Sequence, residues 1–160
     1  MCAAKNSAPS PTQDREIVTT RVFDAPRALV FEAFTDAKHI GEWWGPNGFT
    51  TTTYEMDVRP GGAWRYVMHG PDGTDYSNKM VYSEVVKPER LAYALGADDD
   101  GPPLFHATVT FEDQGGKTLV TLRSIFPTAA IRDRTEKEVG AIEGARQTLA
   151  RLADHLARQN

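Results

Sequence analysis

A chain of 160 residues with 40% hydrophobic, 25% charged and 9% aromatic residues is long enough to close one hydrophobic core without a metal or a disulfide. A net charge of −4 and a pI near 5.5, with no local run of Lys or Arg, argue against nucleic acid as the main partner, because phosphate binding needs a concentrated basic surface. The single cysteine, Cys2, excludes a disulfide-dense scaffold and makes a reducing cytoplasm the expected compartment, and no apolar run approaches the ~20 residues that span a bilayer.

Residues 1–14 have no apolar core of a secretory leader. With Ser7, Ala8, Pro9, Ser10, Pro11 and Thr12, they read as a disordered N-terminal tail, with Cys2 an inert exposed thiol and one domain over 15–160. Glu16 to Phe23, with Ile17, Val18, Thr19, Thr20 and Val22, has the β-branched content of a strand. Asp24 and Pro26 signal a helix start, a capping side chain followed by a proline suited to the first turn. Asp36 can cap a second short helix that stops at Trp43-Trp44-Gly45-Pro46.

Strand signals then dominate. Phe49 to Val58 carries Tyr54, Met56 and Val58 at period two, and after Arg59-Pro60-Gly61-Gly62 a second run carries Trp64, Tyr66 and Met68, so the pair predicts a hairpin. Ser77 to Val86, Arg90 to Leu95, Phe105 to Phe111 and Thr118 to Phe126 continue the series across short Gly, Pro and Asp turns. Consecutive strands on short turns imply an antiparallel meander. Past Pro127 the composition turns to Ala, Glu, Arg and Leu, predicting one continuous helix from near Glu136 to Arg158, on the order of 34 Å long. The fold class expected is α+β: a curved antiparallel sheet around a long C-terminal helix, with two short helices after the first strand.

That last helix is the most informative element. At 100° per residue, Ala141, Gly144, Ala145, Thr148, Leu149, Leu152 and Leu156 share one face, while Glu143, Arg146, Gln147 and Asp154 share the other. The apolar face is bulky toward the C-terminus and slim toward the N-terminus. Slim residues arise from close approach of the helix backbone to the sheet or from a void, and both readings stand at this point. Large side chains opposite, Trp43, Phe49, Tyr54, Met56, Trp64, Tyr66, Met68 and Phe105, complete the candidate cavity lining with Ala141, Gly144, Ala145 and Thr148.

These motifs in order resemble the START-like (SRPBCC) superfamily with its helix-grip fold, most closely the branch named after the C-terminal domain of the heat-shock protein 90 ATPase activator. The match runs through Arg21-Val22-Phe23-Asp24-Ala25-Pro26, Val30-Phe31-Glu32-Ala33-Phe34-Thr35-Asp36, Trp43-Trp44-Gly45-Pro46, Asp57-Val58-Arg59-Pro60-Gly61-Gly62 with Trp64-Arg65, and Met68-His69-Gly70-Pro71-Asp72-Gly73. It continues through Pro88-Glu89-Arg90-Leu91, Val109-Thr110-Phe111-Glu112 and Glu143-Gly144 with Leu149 and Leu152, covering about residues 15 to 158. The family often has Trp directly after the glycine of the last helix; here Ala145 takes that place and enlarges the space beneath. The resemblance implies carriage of lipids, plant metabolites or polyketides, cyclisation of polyketides, self-resistance, or action on chaperones, and fold alone does not choose among them.

Chemical motifs are sparse. His39, His69, His106 and His155 show no metal-ligand spacing and no cysteine joins them, so no metal or cofactor is expected. His69 or His106 could act as a general base, with a hydrogen-bonded structural role the alternative. Arg59 is expected to pair with Asp57 or Glu55, Glu143 and Gln147 to face solvent, and Asp98-Asp99-Asp100 to be a solvated loop tip without the spaced ligands of a calcium loop. Trp43 and Trp44 serve either as a lid or as core anchors. Three functions follow: binding of an apolar or aromatic small molecule between sheet and helix; a cyclase- or hydrolase-type enzyme using a pocket His or Tyr; or a chaperone-interacting protein. Homodimerisation through a sheet face or edge stays open.

Overall fold

The computed structural model describes residues 11–99 and 101–159; Cys2, most of the expected tail and Asp100 lie outside them. A 3-10 turn at Gln13–Arg15 leads into β1 (Glu16–Phe23), α1 (Arg27–Thr35) and α2 (Ala37–Trp43). Then come β2 (Thr50–Met56), β3 (Ala63–His69), β4 (Asp75–Val86), β5 (Arg90–Ala97), β6 (Phe105–Gln114) and β7 (Lys117–Ile125), followed by α3 (Ala129–Val139) and α4 (Ala141–Gln159). The seven strands form one antiparallel sheet in the order β1-β7-β6-β5-β4-β3-β2. The α1–α2 excursion carries the chain from one edge of the sheet to the other, and the meander brings it back beside β1. This is the α+β helix-grip arrangement. Among the described residues, no helix is long and apolar enough to cross a membrane.

Local chemistry sets the helix ends. Asp36 caps α2 by accepting from the Lys38 N–H at 2.8 Å. Asp24 does not cap α1: Pro26 occupies the N-cap position, and Asp24 stands two residues before it. The expected single C-terminal helix is two helices. Gly140 adopts φ 62° and ψ 49°, a left-handed conformation that glycine takes without a Cβ penalty, and it ends α3. Glu136 then links the pieces, its backbone carbonyl accepting from Gly140 N–H at 2.9 Å and its carboxylate from Ile142 N–H at 2.8 Å.

The concave face of the sheet has two unlike ends. At one end α1, α2 and the C-terminal half of α4 close over Phe23, Trp64, Leu91, Val109, Phe111 and Val120, all buried. Phe31 and Phe34 meet Phe111 edge-on with ring centroids 5.2 Å apart, an arrangement that aligns ring edge with ring face. Leu149 and Leu152 complete this packed core. The other end is covered by α3, the N-terminal half of α4 and the loop after α2, and it is hollow.

A candidate ligand cavity

At the hollow end lies a cavity of about 600 Å³, within the range of small-molecule sites. Its ceiling is Ala141, Gly144, Ala145 and Thr148 of α4, and Phe49, Tyr66, Met68 and Phe105 stand on its walls. A Cβ built on Gly144 would meet nothing within 4 Å. The α4 backbone therefore does not press on the sheet there, and the slim residues border open space.

Four other residues expected at the cavity are elsewhere. Trp43 is fully buried in the packed core, edge-on to Phe34 at 4.8 Å, and donates its Nε1–H to the Ala33 carbonyl at 3.1 Å. Trp64 is also core, stacked on Tyr66 with centroids 3.8 Å apart, and donates to Thr53 Oγ1 at 3.1 Å. Met56 pairs across the sheet with Trp64 and packs against that core rather than the cavity. Tyr54 is 70% exposed, because the β2–β3 register breaks between Thr53 and Glu55. The bulge takes Tyr54 out of the alternation, so the period-two reading places it on the wrong face.

Sequence reasoning missed part of the wall. Trp44, not Trp43, faces the cavity, and its Nε1–H donates to the Tyr66 hydroxyl at 3.3 Å. The end of α2 separates the two tryptophans, since Trp44 has extended backbone angles. Tyr93 and Leu95 of β5, Leu122 and Ser124 of β7, and Phe126 also line the space. Their period-two spacing in β5 and β7 was a usable signal once the ladder was known. Val139, Leu104 and Tyr76 are large apolar side chains left exposed at its margin.

The cavity is electrically quiet. Glu138, exposed on α3, is the one charged residue lining it among the described residues. Burial pushes the Tyr66 phenol far above its usual titration range, and does the same to Tyr93, where the neighbouring Tyr66 and Tyr82 add to the effect. Both remain neutral O–H groups. Arg151 lies beneath the rim, its Nη1 donating to the carbonyls of Gly45 at 2.8 Å and Pro46 at 3.0 Å; desolvation lowers its pKa.

None of the four histidines lines the cavity. His69 is held by Asp75 and Thr52, each at 2.8 Å, and His106 is exposed. The spacing of His39 and His155 hid a contact, for the fold brings His39 Nδ1 within 2.9 Å of His155 Nε2, joining α2 to α4. No group of three or more His, Cys, Asp or Glu suited to a metal occurs among the described residues. Arg59 pairs with Asp57 at 2.7 Å. Asp98 accepts from Arg65 at 3.0 Å, and Gln147 reaches the Asn47 N–H at 3.1 Å.

The profile of the family described as Activator of Hsp90 ATPase homolog 1-like protein matches residues 24–157. The chain belongs to that family. Solved structures of similar fold agree with the START-like architecture. Protein Ms6760 from Mycobacterium smegmatis is 26% identical with a TM-score of 0.84, the match covering 95% of this chain and 97% of that one. A Staphylococcus epidermidis protein is 27% identical with a TM-score of 0.79, covering 96% and 95%. Protein NE0264 from Nitrosomonas europaea, at 23% identity and a TM-score of 0.83 over 91% and 96%, shares the fold. Among curated proteins, none matches the chain.

Proposed function

We propose that this member of the Activator of Hsp90 ATPase homolog 1-like family binds an apolar or aromatic small molecule, lipid- or polyketide-like, in the cavity beneath Gly144. The observation that carries this reading is the open space at the Gly144 Cα. An unfilled apolar hollow forfeits dispersion contacts that a packed core would make, and Gly, Ala, Ala and Thr keep it open where leucines would close it. Exposed Val139, Leu104 and Tyr76 give an apolar guest a margin to cross. A cyclase or hydrolase would draw on a pocket His or Tyr; no histidine lines the cavity, and burial holds its Tyr66 and Tyr93 as neutral phenols. A chaperone partner draws on the family description and on no surface feature of this chain.

The test is uptake of a fluorescent apolar probe, with native mass spectrometry of protein taken from cells. Wild type is expected to take up the probe, and Gly144→Leu, whose side chain enters the space, to bind it about tenfold more weakly with its fold intact by circular dichroism. Wild-type protein with no probe uptake and no retained species would end the reading.

A further inference from the structure

The lining that makes the cavity apolar also fixes the charge and polarity of what it can hold. Tyr93 is 4% exposed and lines the cavity, and its hydroxyl has no hydrogen-bond partner among the described residues. Tyr66, 2% exposed, accepts from Trp44 Nε1–H, and its own hydroxyl proton has no acceptor among the described residues. By contrast, Thr135 and Thr148 donate their protons to carbonyls of their own helices, at Ile131 and Gly144, each 2.8 Å away. Tyr93 and Tyr66 therefore keep unspent O–H donors on a cavity wall, as do the hydroxyls of Thr19 and Ser124, which also line it without a hydrogen-bond partner among the described residues. An acceptor on a guest that meets a tyrosine there gains a hydrogen bond.

No lysine, arginine or histidine lines the cavity among the described residues. Arg151 has its Nη1 held by the rim carbonyls, Arg15 donates to the carbonyl of Phe126 at 2.7 Å, and the one carboxylate lining the cavity among the described residues, Glu138, repels an anion. Burying a carboxylate there would leave it without a countercharge, so that its lost hydration is not offset. We infer, resting on the cavity-binding reading above, that the site selects uncharged ring-bearing molecules carrying a carbonyl or similar hydrogen-bond acceptor, which Tyr93 and Tyr66 hold by O–H donation, and that it discriminates against fatty-acid-like carboxylates. At liquid-like packing a 600 Å³ space suits a guest of roughly 20 non-hydrogen atoms, about three fused rings with a substituent.

Three probes of one shape separate the terms: 2-acetylanthracene, 2-isopropylanthracene and anthracene-2-carboxylate, titrated into wild type and Tyr93→Phe by fluorescence. In wild type the ketone is expected to bind at least about tenfold more tightly than the carboxylate. In Tyr93→Phe the ketone-to-hydrocarbon affinity ratio falls by about tenfold, while the hydrocarbon binds as before and so reports an intact cavity. A carboxylate that binds as tightly as the ketone, or a ratio unchanged in Tyr93→Phe, overturns the inference while cavity binding stands. If none of the three probes binds wild type, the cavity-binding reading fails and this inference with it.

Discussion

One helix serves two opposite purposes along its length. Past Thr148, α4 presents Leu149, Leu152 and Leu156, which are buried against the aromatic core. Before that point it presents Ala141, Gly144 and Ala145 to open space. The sheet repeats the contrast: Trp64 is sealed, Tyr66 is the boundary, and Met68 looks into the hollow. Stability and hollow space thus occupy opposite ends of the same elements, and the packed end must hold up a structure whose other end forgoes close packing.

Truncations at the two ends are expected to differ. Leu152 is 0% exposed, so Leu152→Ala should cost about 3 kcal/mol, whereas Leu95→Ala, on a wall that already borders open space, should cost about 1 kcal/mol. Urea denaturation measures both, and equal losses would erase the distinction between the ends. Gly144→Ala should raise stability by about 0.8 kcal/mol, since the added methyl meets nothing within 4 Å and the helix interior gains a better former. A loss instead would mean that the helix lies closer to the sheet than described.

A smaller effect concerns the seam at the packed end. Burial first, then His39 and Arg158, hold the His155 pKa below its usual 6.5, with Glu42 opposing; Glu32 lies 3.9 Å from the far nitrogen of His39. Between the lowered native value and 6.5 the unfolded chain takes up a proton that the folded chain refuses. Stability is therefore insensitive to this group above that window and declines as pH falls through it. His155→Gln should flatten the decline, read as urea midpoints between about pH 7.5 and pH 5.

Much of the fold was legible because strand alternation, turn residues and the Asp36 cap are local signals. The slim half of the last helix was legible too, but its two explanations diverge only in the distance from Gly144 to the sheet, which no sequence contains. Tyr54 went astray because a bulge adds one residue to a strand without any mark in the period-two pattern. Trp43 and Trp44 divide between core and cavity because a helix ends between them. Gly140 was a readable stop, a glycine after Lys137 and Glu138, hidden by a composition that stays helical on both sides. The His39–His155 contact spans 116 residues of sequence, beyond the reach of any spacing rule.

The Arg151 clamp has a kinetic consequence. Trp44, Gly45 and Pro46, one jaw of the cavity mouth, are bolted from below by a guanidinium that belongs to the packed half of α4. The facing jaw, α3, has no buried residue of its own and is jointed at Gly140. Opening by way of α3 draws on local stability and opening by way of the clamp on that of the whole domain. Under the proposed function, the residence time of a guest is expected to follow how firmly α3 sits.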